Sequence, residues 1–236
     1  MTSVIRTIVH QSISSLIAGL LFCSMPVFSA TQTITTTAGV FNVQVTSIEE
    51  ARFQSTVRQE RDFSCGSAAL ATVLTYHYEH PISEHDIFNA MYQNGDQQKI
   101  RHEGFSLLDM KNYLESEGFH ADGFLLSLDE LAKIGVPAIA LINDEGYRHF
   151  VVVKGVDRRH VLLGDPAKGV RMMLRSQFEK LWNGITFVIR NKHQIAIRYF
   201  NHAKEWEMVA QAPLDTVIKR DGISNLYLSL PGLYEF

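Results

Sequence analysis

The stretch QERDFSCGSAALATVL, residues 59–74, predicts a helix that begins at Cys65. From Cys65 onward it is rich in Ala and Leu, which have high helix propensity. Ser64 is of the residue type that caps helix N-termini, so Cys65 is expected in the first helical turn. The positive end of the helix dipole and unpaired backbone N–H groups favour a thiolate at that position.

Around this helix, the sequence predicts further helices followed by strands. Ser83, Gly104, the Ser127–Glu130 capping box and Ser176 mark helix starts. Short apolar runs predict strands at 138–142, 149–153, 161–163 and 185–189, and alternation around Phe41, Val43 and Val45 predicts one more. Helices followed by short strands with turn-rich connections are typical of an α+β fold.

Composition excludes several functional classes. The 236 residues are 46% apolar and 20% charged, with a net charge of −3. Without a basic excess to meet phosphates, no nucleic-acid partner is expected. The sequence has neither zinc-type cysteine pairs nor a glycine-rich phosphate loop, so no metal and no cofactor is expected.

The first thirty residues have the layout of a secretory signal peptide. Arg6 is their only charge, an apolar stretch runs from Ile13 to Phe22, and Ser29 and Ala30 are small. The stretch is short for a membrane span, which predicts an exported, periplasmic protein whose mature chain has no stable span. An uncleaved N-terminal anchor is the alternative. Cleavage would remove Cys23 and leave Cys65 as the only cysteine.

A thiol nucleophile needs a base, a group that orients the base, and donors for the oxyanion. His149 begins an apolar strand, and Asp165 ends the next strand, just before Pro166. If these strands pair, Asp165 is expected to accept the Nδ1 hydrogen of His149. Gln59 could donate to the oxyanion beside the Cys65 N–H. A structural histidine, a turn-starting aspartate and an inert loop glutamine are the alternatives.

Five separated blocks resemble the bacteriocin-processing, double-glycine cysteine peptidases of peptidase family C39. In order, they are Gln59–Ala68, Gly104–Asp109, His149–Val153, Asp165–Gly169, and Phe178 with Trp182–Gly184. The resemblance covers roughly residues 52–191. It implies a papain-like α+β fold, with a helical N-terminal half, the catalytic cysteine at a helix start and a C-terminal antiparallel sheet. Cys65, His149 and Asp165 match the family's catalytic positions, and Gln59 matches its oxyanion-hole position. Ser64 departs from the Asp or Asn that many members have before the cysteine.

The resemblance also suggests a domain order. Residues 1–30 are expected as signal peptide, 31–51 as an N-terminal strand or arm, 52–191 as the peptidase domain and 192–236 as a C-terminal extension. Since neither spanning helices nor an ATPase domain is recognised, the chain resembles stand-alone exported members, some of them associated with fimbrial or functional-amyloid secretion. The implied function is a periplasmic endopeptidase that cleaves an exported polypeptide at a glycine-containing site. Its expected partners are an amyloid, fimbrial or leader-peptide-bearing protein, or a secretion-system component.

Two other functions stay open on the residues alone. Cys-His-Asp sets also serve acyltransferases, transglutaminases and NlpC-type peptidoglycan amidohydrolases. A non-catalytic chaperone that binds a secretion substrate could retain Cys65 as a relic. Residues 192–236 could form a hairpin that completes the sheet, or an arm that docks a partner.

Overall fold

A computed structural model describes residues 30–36, 39–45, 47–144 and 146–210. The expected signal peptide lies outside these residues apart from Ala30, as does the C-terminal end from residue 211. The chain divides into two compact units, residues 1–45 and 46–236. In the first unit, β1 (Ala30–Thr36) and β2 (Gly39–Val45) pair antiparallel, and β2 is the strand predicted around Phe41.

The second unit combines helices with a single described sheet. Its helices are α1 (Ile48–Arg52), α2 (Cys65–His77), α3 (Glu84–Asn94), α4 (Gln97–Glu103), α5 (Leu107–Ser116), α6 (Leu128–Ile134), α7 (Arg175–Leu181), α8 (His193–Ala196) and α9 (Ala203–Ala210). Ser83, Ser106 and Ser127 cap α3, α5 and α6 by accepting a backbone N–H of the first turn. These caps satisfy donors that would otherwise lack a partner.

The sheet is antiparallel throughout. Its strands are β3 (Ala121–Leu125), β4 (Ala138–Asp144), β5 (Tyr147–Val156), β6 (His160–Asp165), β7 (Gly169–Leu174) and β8 (Trp182–Ile189). They lie in the order β3-β8-β4-β5-β6-β7. The strand β5 therefore lies inside the sheet, with β4 on one side and β6 on the other.

Helix α2 is the central helix of the core. Nearly all of its residues are buried, because it packs against both α3 and the sheet strand β5. Leu70 and Leu74 are fully buried there. A helix that is apolar on all sides is expected in such an enclosed position. This packing fixes the start of α2, with Cys65, against the strand that carries His149.

Residues beyond the sheet dock on β5. The Asn201 backbone N–H donates to the Lys154 carbonyl at 2.9 Å, and Asn201 Oδ1 accepts the Val156 N–H at 2.8 Å. Gly155 permits this approach, since a Cβ there would clash with Asn201. The fully buried Lys154 ammonium contacts Ser55 and forms an ion pair with Glu205 of α9.

The predicted α+β arrangement is confirmed, together with the predicted strands and the helix starts at Ser64, Ser83 and Ser127. The other two predicted starts are shifted, since α5 begins after Ser106 and α7 begins at Arg175. The hairpin considered for residues 192–236 is wrong for the described part, which is helical in α8 and α9. Sequence patterns missed α1, α4, β1, β3 and β7, and Trp182 begins β8 instead of ending α7. Among the described helices, none is both long and apolar enough to cross a membrane.

Candidate active site

Cys65 is the first residue of α2, as predicted, and it is only 7% exposed. Ser64 occupies the N-cap position, but its side chain makes no capping bond to the helix. Its hydroxyl instead accepts the Arg61 N–H at 3.1 Å and lies 3.0 Å from the Arg61 carbonyl oxygen. The first-turn N–H groups of α2 therefore receive no side-chain cap and remain beside the thiol.

A buried polar contact holds the start of α2 against α3. The Ser67 hydroxyl lies 2.8 Å from the Ser64 carbonyl oxygen and 2.7 Å from Oε1 of Glu84. All three residues are buried. Because a buried carboxylate without hydrogen bonds is unfavourable, this contact restricts how the nucleophile helix can move.

Strand pairing brings His149 and Asp165 together. Gly164 of β6 lies opposite Val152 of β5, so Asp165 is one diagonal step from His149 on the same face. His149 Nε2 donates to Asp165 Oδ1 at 2.8 Å, and both side chains are buried. The expectation that Asp165 receives the Nδ1 hydrogen is therefore wrong. The ring is rotated so that Nδ1 is free of Asp165 and available to the thiol.

The charges of the pair stabilise each other. Burial opposes a charged imidazole, but the hydrogen bond to Asp165 and the nearby acidic groups of Asp165 and Cys65 outweigh it and raise the pKa of His149 to about 9. Burial likewise opposes a charged carboxylate, but His149, Arg171 and the Ala167 N–H lower the pKa of Asp165 to about 2. An imidazolium beside an ionised Asp165 is thus the favoured state near neutral pH.

Gln59 lies on the loop that precedes α2. Its backbone N–H donates to the Pro166 carbonyl at 3.0 Å, which ties this loop to the turn after Asp165. Its side-chain Nε2 donates to the Arg61 carbonyl at 3.0 Å. An amide nitrogen has two hydrogens, and the second is within reach of the Tyr147 oxygen. The oxyanion role of Gln59 stays a prediction that this position allows.

Tyr147 is a site residue that the sequence patterns missed. Its ring stacks on His149, with centroids 5.6 Å apart and planes 25° from parallel. Its hydroxyl donates to the Asp62 carbonyl at 3.2 Å. Burial raises the pKa of Tyr147, as does the charge of Cys65, whereas a hydrogen bond with Gln59 opposes the rise. Its position two residues before His149, on the same strand face, was the available signal.

A groove of about 570 Å³ lies beside the thiol. Its lining includes Asp62, Phe63, Cys65, Arg101, His102, Glu103, Gly104, Phe105, Leu141, Gly146, Tyr147, Arg148 and Phe150. Phe63, Phe105, Tyr147 and Phe150 are aromatic, and they come from the loop before α2, the segment between α4 and α5, and strand β5. The groove can receive an extended chain, while the aromatic side chains leave limited width beside the nucleophile.

The sequence model of the Peptidase C39 family matches residues 54–194. The chain belongs to the Peptidase C39 family. The predicted resemblance is thereby confirmed, and Cys65, His149 and Asp165 all lie within the matched range. Membership in this family makes the chain a cysteine peptidase.

Two Pseudomonas proteins are similar in sequence to this chain over about 150 residues. The chain is 42% identical to the "probable functional amyloid protease FapD" of Pseudomonas aeruginosa over 151 residues, which cover 64% of this chain and 67% of the relative. The Pseudomonas fluorescens protein of the same name is 42% identical over 146 residues, 62% of this chain and 65% of the relative. The chain thus spans about two thirds of the length of these relatives.

A solved structure supports the fold assignment. The peptidase domain of Streptococcus ComA, a bi-functional ABC transporter involved in a quorum-sensing pathway, superposes with a TM-score of 0.50. The superposition covers 57% of this chain and 96% of that domain, at 22% sequence identity. The predicted papain-like α+β fold of the family's peptidase domains is confirmed.

Proposed function

We propose that this cysteine peptidase is a periplasmic endopeptidase that cleaves an exported polypeptide at a glycine-containing site through Cys65, His149 and Asp165. The observation that carries the proposal is the orientation of His149, whose Nε2 is held by Asp165 at 2.8 Å while Cys65 contributes to its raised pKa. In this orientation the imidazole can exchange a proton with the Cys65 thiol through one nitrogen while Asp165 holds the other, as nucleophilic catalysis by a thiol requires.

Each group has a defined task in the proposed reaction. The Cys65 sulfur adds to the carbonyl carbon of the scissile bond, and His149 Nδ1–H then protonates the leaving amine to give a thioester. His149 next removes a proton from water, which attacks the thioester and releases the Cys65 thiolate. Asp165 accepts the Nε2 hydrogen throughout and keeps the ring in one orientation.

The oxyanion formed on attack needs hydrogen-bond donors close to Cys65. The Cys65 backbone N–H, in the first turn of α2, is one donor without an intrahelical partner. We assign the second to the Gln59 amide hydrogen that otherwise serves the Tyr147 oxygen; the Gln59 loop is tied to Pro166 next to Asp165. Removal of such a donor in other peptidases lowers kcat by about 10² to 10³.

Glycine at the cleavage site is supported by the groove beside Cys65. Phe63, Phe105, Tyr147 and Phe150 all line it. A peptide segment without side chains can lie closer to the thiol between aromatic walls than one with bulky residues. The names of the two Pseudomonas relatives suggest that the polypeptide belongs to a functional-amyloid system.

Cleavage of a defined peptide tests the proposal. The purified protein without residues 1–30 is incubated with a peptide containing Gly-Gly and with a matched Leu-Leu peptide, and products are identified by mass spectrometry. We expect hydrolysis after glycine by the wild type and none by Cys65→Ala. Equal turnover by both proteins would overturn the proposed mechanism. Products carrying a transferred amine instead of a new carboxylate would point to an acyltransferase.

The periplasmic location has a separate test. Residues 1–30 have the signal-peptide layout on which this part of the proposal rests. Osmotic-shock fractionation of the expressing cells, with a cytoplasmic marker enzyme as control, is expected to release a protein whose intact mass lacks the N-terminal segment. Recovery of the full-length mass with the cytoplasmic marker would contradict it.

A further inference from the structure

The carboxylate of Asp165 is held at both of its oxygens. Oδ1 accepts hydrogen bonds from His149 Nε2 at 2.8 Å, the Ala167 N–H at 2.9 Å and the Lys168 N–H at 3.3 Å. Oδ2 accepts one from Arg171 Nε at 2.9 Å. The Asp165 side chain is 1% exposed and that of Arg171 15%. Little water therefore reaches Oδ2, and Arg171 is the contact that satisfies it.

The β6–β7 hairpin places Arg171 at this distance. Asp165 pairs with Gly169 across the turn, and Leu163 pairs with Arg171. Side chains of paired residues share a face, so Arg171 is a diagonal neighbour of Asp165 on the face that also carries His149. Gly169 itself has no side chain. Arg171 is thus the first side chain of β7 that can reach the carboxylate.

We propose that Arg171 is a positioning residue of the active site, which holds Asp165 ionised and oriented so that Oδ1 remains on His149. This inference rests on the proposed catalytic function of the Cys65–His149–Asp165 set. Arg171 lies on the far side of the carboxylate and acts on the imidazole only through Asp165. Neither the sequence patterns nor the family resemblance assigned a role to this residue.

The charges around Asp165 explain why a cation is needed. Burial alone would raise the pKa of this carboxyl, and His149 and Arg171 are the charged side chains that lower it. When His149 releases its proton during the reaction, it contributes less to this effect. Arg171 then supplies the permanent positive charge, because a guanidinium stays protonated at every relevant pH. Among the described residues, the titratable and charged groups that face the pair are Cys65 of α2, Tyr147 of β5 and Arg171 of β7.

Geometry favours arginine over lysine at this position. The planar guanidinium directs its Nε–H along a fixed line, whereas a lysine ammonium is a point charge on a flexible stem. Arg171→Lys should therefore keep Asp165 ionised but orient it less well. Arg171→Gln removes the charge and leaves a hydrogen-bond donor. Comparison of the two variants separates the electrostatic contribution from the orienting one.

The test measures the pH dependence of kcat/KM and the ¹³C chemical shift of the Asp165 carboxyl for the wild type, Arg171→Gln and Arg171→Lys. Arg175→Gln is the matched control, since Arg175 has a similarly covered side chain and pairs with Asp129, away from the site. In Arg171→Gln we expect the carboxyl midpoint and the acid limb of kcat/KM to rise by about one pH unit or more. We expect kcat to fall more than KM rises. Arg171→Lys should keep the carboxyl midpoint near that of the wild type, with kcat between the other two proteins.

An Arg171→Gln protein with wild-type carboxyl midpoint and acid limb would overturn the inference, even if its melting temperature fell, because the role would then be structural only. A similar shift in Arg175→Gln would also overturn it. The carboxyl titration needs no substrate. Suppose that the wild type cleaves no glycine peptide but that the Asp165 carboxyl midpoint is raised in Arg171→Gln. The proposed function would then be rejected, while the inference that Arg171 holds Asp165 ionised would stand.

Discussion

His149 Nε2 lies 2.8 Å from Asp165 Oδ1, so the other ring nitrogen, Nδ1, is the one left for Cys65. This orientation follows from strand register, since Asp165 is a diagonal neighbour of His149 across β5 and β6. Asp165 and Cys65 both stabilise the charged imidazole. The predicted pH behaviour of the enzyme depends on this relationship.

Asp165→Asn should shift the basic limb of activity to lower pH. The amide can still accept the Nε2 hydrogen, but it lacks the charge that helps raise the pKa of His149 to about 9. We expect the basic limb of kcat/KM to fall by about one pH unit or more, with a smaller loss of rate near pH 6 than near pH 8.5. Asp157→Asn is the control, since Asp157 lies near the exposed His160. A basic limb that does not move would show that Asp165 does not set the charge of His149.

Tyr147 should limit the size of residue accepted beside the thiol. Its ring covers His149 and lines the groove, and its hydroxyl bonds to the Asp62 carbonyl on another part of the groove wall. Tyr147→Ala is expected to raise kcat/KM for an alanine-containing peptide relative to its glycine counterpart by about tenfold. Tyr147→Phe keeps the ring and should retain the preference of the wild type. If Tyr147→Ala had the same ratio of kcat/KM for the two peptides as the wild type, Tyr147 would not limit the size of the residue beside the thiol.

The ion pair between Lys154 and Glu205 should make the C-terminal segment part of the folded domain. Lys154 is fully buried, and Glu205 comes from α9, beyond the region that the family model matches. Glu205→Gln leaves a buried ammonium without its counter-charge and is expected to lower the free energy of unfolding by about 3 to 5 kcal/mol. Glu207→Gln, on the same helix but exposed, should change it by less than about 0.5 kcal/mol.

Urea denaturation of both variants checks this prediction. A double variant, Lys154→Met with Glu205→Gln, should recover part of the lost stability, because no buried charge remains unpaired. Equal midpoints for Glu205→Gln and Glu207→Gln would mean that α9 contributes nothing to the stability of the catalytic strand.

Gly169→Ala should destabilise the hairpin that carries Asp165 and Arg171. Gly169 has a φ of +75°, and a Cβ there would lie 2.7 Å from the Arg52 carbonyl oxygen. Gly118 has a similar φ of +74° but no atom within 4 Å of its Cβ position. Gly118→Ala therefore reports backbone strain alone, about 1 to 2 kcal/mol, and Gly169→Ala should exceed it. Equal losses in melting temperature for Gly169→Ala and Gly118→Ala would contradict a steric clash with Arg52.

Local signals in the sequence predicted most of the elements that carry the site. The Ala- and Leu-rich run after Ser64 predicted α2 with Cys65 at its start, and apolar runs predicted the strands of His149 and Asp165. Such patterns report helix propensity, capping and burial, which act over a few residues. They also gave the order of the site residues along the chain.

Local patterns could not predict contacts between segments that are distant in the sequence. The rotation of the His149 ring and the approach of Arg171 depend on how β5, β6 and β7 pair. Polar α4, with Ile100 as its buried residue, and glycine-containing β3 lack strong periodicity, so neither was predicted. The helical C-terminal segment is explained by bonds from Asn201 and Glu205 to β5, about fifty residues earlier in the chain.

The most direct test of the central claim is labelling with a Gly-Gly peptide vinyl sulfone, followed by peptide mapping of the adduct. Nucleophilic attack by Cys65 with proton transfer from His149 predicts a single adduct on Cys65 in the wild type. It also predicts labelling at least about a hundredfold slower in His149→Ala, and none in Cys65→Ala. Labelling of His149→Ala at the wild-type rate, or an adduct on any other residue, would contradict the assignment of Cys65 and His149 as the catalytic pair.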